Sequence, residues 1–168
     1  MSVRRYRYQP RRIHYGATVT LAVFFAAAFL IVLLIVGSPR LLLRVASAHV
    51  PVLPSWLFCL GFLAFFAIDG ASLGAVLFQH GRWQETAKYR GAFFLSIAVV
   101  ASYLWYAVTF GAHFFLPSVL LALVAMVFFA ASAVNFRCVC RPAAWGMGIA
   151  ALWAGYLLVL SVLLFFSL

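Results

Sequence analysis

The sequence predicts an all-α integral membrane protein, a single five-transmembrane-helix bundle over residues 1–168. Three observations predict it. Hydrophobic residues make up 68% of the chain and charged residues 8%, where a soluble domain carries roughly a quarter charged residues. The mean hydropathy is +1.14. Apolar runs recur at about the 20 residues needed to cross about 30 Å of hydrocarbon, each ended by a short polar or Pro/Gly-marked break. Backbone groups in such runs must satisfy one another inside lipid, which selects helices over strands.

The elements follow in order. Residues 1–16 form a basic arm whose "RRYRYQPRR" suits anionic lipid headgroups, and helix 1 runs from about Ala17 to Val36. The Arg-rich start, the apolar run and "ASA" at Ala46 to Ala48 imitate a secretory signal. The run is too long for a typical signal core, however, and Arg40 and Arg44 intervene, so an uncleaved span is expected. The longest connection, "GSPRLLLRVASAHVPVLPS" over 37–55, places Leu41, Leu42, Leu43 and Val45 beside Arg40 and Arg44 between Pro39 and Pro51. That pattern suits a short interfacial helix, able to cap a cavity between the spans. Helix 2 is expected over Ser55–Phe78, helix 3 over Gly91–Phe110, helix 4 over Phe114–Phe136 and helix 5 over Ala143–Phe166.

A formal charge of +10 would suggest nucleic acid in a soluble protein, but here the placement of the charge matters more than its sum. Arg4, Arg5, Arg7, Arg11 and Arg12 precede helix 1, Arg82, Lys88 and Arg90 lie between helices 2 and 3, and Arg137 and Arg141 between helices 4 and 5. The other side carries only Arg40 and Arg44. The positive-inside rule therefore puts the N-terminus in the cytoplasm and the C-terminus on the opposite side. The partner this implies is the lipid membrane, with no nucleic acid.

Cys138 and Cys140 stand one residue apart, yet a zinc site wants about four ligands, and only Cys59, scattered histidines and two acids remain to supply them. No metal site is expected, and the pair reads as small residues at a helix junction. Asp69 is the one acid inside an expected span, where a charge at mid-bilayer costs at least about 2.5–3.5 kcal/mol. It shares a helical stripe with Phe62 and Phe66. One reading is a protonated Asp bonded to a neighbouring Ser or Tyr; the other is a polar anchor in an apolar pocket.

Trp56 and Trp83 near span ends suit an interfacial belt, whereas Trp105 and Trp153 fall mid-span. There they either pack the core or offer flat contact area to an apolar ligand. Gly70 and Gly74 form G-x-x-x-G, and Ala150/Ala154 and Ala151/Gly155 are further small-residue pairs, each permitting close helix approach within the chain or between protomers. There is no phosphate-binding G-x-x-x-x-G-K-[ST], no Ser/His/Asp set on facing elements and no paired carboxylates, so no enzyme activity is expected.

The order of residues resembles the TspO/MBR family, the tryptophan-rich sensory proteins related to the mitochondrial translocator protein. The family's helix 2 reads like P-x-W-x-F-G-P-x-W-T-x-L-Y-x-x-M-G-x-A. Here "PSWLFCLGFLAFFAIDGAS" places Pro54, Trp56, Phe58 and Gly70 in register, with Phe62 for the second Trp and Phe66 for the Tyr. In helix 3, "AVVASYLWYAVTFG" keeps Trp105, Phe110 and Gly111 of a Q-L-x-L-N-x-x-W-S-x-x-F-F-G pattern, with Ser102 for the Asn. Across helix 5, Phe136, Val139, Ala143, Ala144, Trp153 and Leu160 match, with Tyr156 for Phe and Cys140 for a family Ser. The match covers about Pro54 to Ser161. Helix 1 lacks the family's W-Y and K-P elements, Ile149 and Ala150 replace P-Y, Ser161 replaces the last Asn, and no basic residue follows Tyr156 where animal members carry a cholesterol motif.

The resemblance implies a five-helix bundle binding a tetrapyrrole such as protoporphyrin or haem, or another lipophilic small molecule, without covalent attachment. The protein would act as a sensor, carrier or regulator. Porphyrin degradation has been proposed for the family, but no catalytic residues are visible here. The expected ligand-binding residues are Trp56, Phe62, Phe66, Asp69, Ser102, Trp105 and Trp153, the aromatics stacking and Asp69 and Ser102 making the polar contacts. Two Phe where the family has Trp and Tyr shift the expected ligand toward something less polar. The alternative is a structural accessory subunit of a larger membrane complex, without a ligand of its own, whose aromatic faces and G-x-x-x-G are protein or pigment contacts. The partners expected besides lipid and a lipophilic small molecule are a second copy of the chain, as a homodimer, or membrane-complex subunits. A proton or solute transporter using Asp69 is a third reading, weakened by the lone acid and the lack of an inverted repeat.

Overall fold

The computed structural model describes residues 14–40, 43, 53–79 and 85–167, and nearly all of them are helical. Helix α1 is Tyr15–Val36, α2 Ser55–Leu77, α3 Glu85–Tyr106, α4 Phe115–Arg137 and α5 Arg141–Ser167. A π-helical segment, Ala107–Ala112, continues α3 without a break. Among the described residues there is no strand. All five helices are long and apolar enough to cross a membrane, consistent with a multi-pass membrane protein.

Most expected boundaries lie within two residues of these, but α3 begins at Glu85, six residues before the expected Gly91. The apolar run marks where a helix enters hydrocarbon, not where it begins. The polar turns "ETAKYR" form helix readily and add Glu85 near the positive end of the helix dipole. Local chemistry sets the other ends. Pro117 and Pro142 lie in the first turns of α4 and α5, where a missing N–H breaks no helical bond. Gly37 stops α1 at φ 92°, its N–H bonded to the Leu33 carbonyl at 2.9 Å. His113 takes a left-handed conformation (φ 58°, ψ 31°) and turns the chain into α4.

The helices pack in a ring: α1 on α2, α2 on α5, α5 on α4 and α4 on α3, with α3 closing back on α2. The α1–α2 seam is a backbone contact. A Cβ on Gly74 would sit 2.7 Å from the Thr18 Cα, and one on Gly70 would collide with the Leu21 carbonyl. The G-x-x-x-G thus serves an approach within the chain. Phe29 is the one fully buried side chain on α1; Phe25, Val32, Leu33 and Val36 pack against the core, and Phe24, Ile31 and Leu34 form an exposed apolar face.

Alternation puts the start of α1, the α2–α3 connection and the α4–α5 turn at one end. His14 and Phe78 meet there with ring centroids 6.2 Å apart, and Ser132 Oγ donates to the Gly91 carbonyl at 3.0 Å. Lys88 reaches back to the end of α2, donating to the carbonyls of Leu77 and Gln79. The basic arm with Arg4, Arg5, Arg7, Arg11 and Arg12, most of the expected interfacial helix including Arg44, and Arg82 and Trp83 lie outside the described residues. At the start of the 37–55 connection, the Leu43 N–H bonds the Pro39 carbonyl at 3.0 Å and the Leu43 side chain is buried.

Candidate functional site

Three stripes of α2 organise the interior. Phe58, Phe62, Phe65, Phe66 and Asp69 recur at helical spacing on one face and are buried. Gly70 and Gly74 form the flank against α1, and Gly61 the flank against Trp153 of α5. Small residues on two sides let α1 and α5 close on the aromatic stripe, and α3 covers it from the front.

Phe62 is the centre of this cluster. Its ring lies 5.2 Å from Phe29 of α1 (interplanar angle 11°), 5.9 Å from Trp105 of α3 (17°), and 5.7 Å edge-on from Trp153 of α5. Phe66 stacks on Tyr103 at 4.2 Å and 4°. Tyr106 stands edge-on to Phe29, and Phe110 of the π segment edge-on to Phe58. Of the residues expected to bind a ligand, Phe62, Phe66, Asp69, Ser102 and Trp105 are all fully buried, and Trp153 adjoins them. They converge on one interior, but as a packed stack of rings.

Trp56 does not join them. It is 64% exposed, because a residue two positions before Phe58 points about 200° away around a helix. Ser102 does not reach Asp69 either; its hydroxyl donates to the Ala98 carbonyl one turn back, at 2.8 Å. Residues that the sequence reading did not single out include Phe29, Tyr103 and Tyr106. The two tyrosines sit on the same span as Ser102 and Trp105, while Phe29 was one apolar residue among many.

The polar groups divide sharply. Trp105 Nε1 donates to Ser161 Oγ at 2.7 Å, and Ser161 donates to the Leu157 carbonyl at 2.8 Å. Tyr103 donates to the Phe25 carbonyl at 2.9 Å, and Tyr106 to the Gly37 carbonyl at 3.1 Å, fastening α3 to α1. Asp69 is 0% exposed and neither carboxyl oxygen has a partner; Trp153 Nε1 is also buried without one. The neighbouring Ser and Tyr that could have satisfied Asp69 donate to backbone carbonyls instead. Beside Trp153, an apolar recess of about 230 Å³ is walled by Gly61, Ala64, Phe65, Ile68, Ile149 and Ala150. No group of three or more His, Cys, Asp or Glu side chains gathers among the described residues. Cys138 is exposed and Cys140 buried at the α4–α5 turn, both as free thiols.

Fold and site define a helical protein with membrane-length apolar helices around a closed aromatic interior, with a carboxyl at mid-helix depth inside it. Comparison with protein-family models, with curated proteins and with solved structures gives no match for this chain.

Proposed function

We propose that the protein is a membrane receptor or carrier for a flat lipophilic ligand of the tetrapyrrole class, held between α2, α3 and α5, and that it is a member of the TspO/MBR family. The observation that carries this reading is Asp69. A fully buried carboxyl with no partner, midway along a membrane-length helix, is costly to keep unless something uses it. It lies one turn from Phe66 and two from Phe62, whose rings offer the stacking surface a planar ligand needs. The Trp153 indole, edge-on to Phe62, carries a second buried polar group without a partner. Binding requires the ring stack to part, with Phe62 giving way and the ligand's polar edge meeting Asp69. The protein is a binder in this reading, with no catalytic residue assigned, and its N-terminus faces the cytoplasm.

The filled interior favours a second reading. Rings already in mutual contact stabilise a bundle without any ligand, as a structural subunit of a larger membrane complex would require. Titration of the purified protein with protoporphyrin, followed by tryptophan quenching, separates the two. The receptor reading expects saturable quenching that Asp69→Leu weakens by about 1–3 kcal/mol, through loss of a polar contact, and that Phe66→Ala also weakens. Unchanged affinity in both folded variants, or stoichiometric co-purifying subunits with no porphyrin binding, would establish the structural reading instead.

A further inference from the structure

At the end of the bundle that carries Lys88 and Arg90, the outer seam between α4 and α5 opens into a groove of about 640 Å³. Arg137, Arg141 and Trp145 stand along its walls, with Ala133, Ala144 and Gly148 among the small residues lining it. Arg137 closes α4 and Arg141 opens α5, so the two arginines flank the apolar runs of both helices. Residues 141, 144, 145 and 148 form one stripe of α5, and the groove follows that stripe about 10 Å into the apolar zone. Trp145 is 75% exposed one turn inside Arg141, the depth at which an indole favours the membrane interface.

Among the described residues neither arginine is ion-paired with a carboxylate, although Glu85 lies at the same end of the bundle. The whole chain has two acids: Asp69, sealed in the interior, and Glu85, at the start of α3. The turn that spaces the arginines is held firmly. The Val139 and Cys140 N–H groups donate to the Phe136 carbonyl at 2.9 and 2.7 Å, and the Ala144 N–H to the Cys140 carbonyl at 3.1 Å. The turn therefore fixes the backbone spacing of the two arginines, whose side chains are exposed, and the remaining length of the groove is mostly apolar.

We infer that this groove is a binding site for one anionic phospholipid, whose phosphodiester lies between Arg137 and Arg141, with its glycerol beside Trp145 and an acyl chain along Ala133, Ala144 and Gly148. Paired guanidinium groups match phosphate oxygens in geometry and charge, and basic pockets between transmembrane helices take anionic headgroups. A free phosphate would satisfy the arginines but leave the apolar length of the groove unused. The site lies on the outer surface of α4 and α5, apart from the interior of α2 and α3, and does not depend on what that interior binds.

The test uses the full chain in phosphatidylcholine nanodiscs, titrated with phosphatidylglycerol bearing brominated acyl chains, with tryptophan quenching as the readout. Two basic residues near a lipid surface predict a preference for brominated phosphatidylglycerol over brominated phosphatidylcholine of roughly tenfold to thirtyfold. Arg137→Gln with Arg141→Gln should lower that preference by the same factor, leaving what the basic arm of residues 1–16 contributes. Arg137→Lys with Arg141→Lys should keep most of the preference, and Arg90→Gln, an exposed arginine at the same end, should leave it unchanged. An undiminished preference in the double Gln variant would overturn the site. Displacement of the lipid by millimolar inorganic phosphate would overturn the lipid assignment in favour of a soluble anion.

Discussion

Trp105 and Asp69 are both fully buried polar residues on the interior of the same bundle, one on α3 and one on α2, and the fold treats them in opposite ways. The indole N–H of Trp105 enters a chain of hydrogen bonds through Ser161 to the backbone of α5, which joins two spans and leaves no donor unpaired. Asp69 lies among rings with neither oxygen bonded, although Ser102 and Tyr103 are on the helix that faces it. A fold that can satisfy one buried polar group can satisfy another. The contrast separates a residue whose polar group joins two helices from one whose polar group costs the bundle stability, and an ionisable residue midway along a membrane-length helix is a functional-site hypothesis by default.

The largest effect expected is on the ring stack that surrounds both. Phe62→Ala removes the ring shared by α1, α3 and α5, and should lower stability by about 3–5 kcal/mol, read as a fall in the thermal midpoint in detergent. Ser161→Ala acts on the satisfied side of the comparison. It strands the Trp105 N–H and should lower stability by about 1–3 kcal/mol, the range for a buried donor left without its acceptor. Asp69→Leu acts on the unsatisfied side and should have the opposite sign, raising the midpoint of the ligand-free protein by the equivalent of about 1 kcal/mol. If Asp69→Leu destabilises as Ser161→Ala does, the contrast fails and Asp69 is a structural residue. The smallest change is expected at the α4–α5 turn. Cys138→Ser with Cys140→Ser should shift stability by no more than about 1 kcal/mol and leave metal content unaltered, since the turn is held by backbone bonds to the Phe136 carbonyl.

The spans were legible because an apolar run about as long as a bilayer has few alternatives in lipid, and each helix lies within a few residues of its run except at Glu85. The stripe of Phe62, Phe66 and Asp69 was legible for a related reason: helical periodicity fixes which residues of one helix share a face. The same periodicity, applied strictly, removes Trp56 from that face. Which helices would meet was not legible. The small-residue pattern at Gly70 and Gly74 permits contact inside the chain or between chains, and only the packed α1 backbone against them decides the matter.

The sequence by itself determined that this is an all-helical chain with five apolar helices, an aromatic-rich interior face on α2 and an acid buried in it, because hydropathy and helical period are local properties. Tertiary structure alone decided that Phe62 fills the interior it was expected to line, that Ser102 bonds its own helix, that Trp105 finds Ser161, and that Asp69 finds nothing. It also brought Arg137, Arg141 and Trp145 around one groove. Whether a buried polar atom is paired depends on the relative rotation and depth of two helices far apart in the chain. Their packing sets those quantities through contacts distributed over many residues, and no short stretch of sequence encodes them.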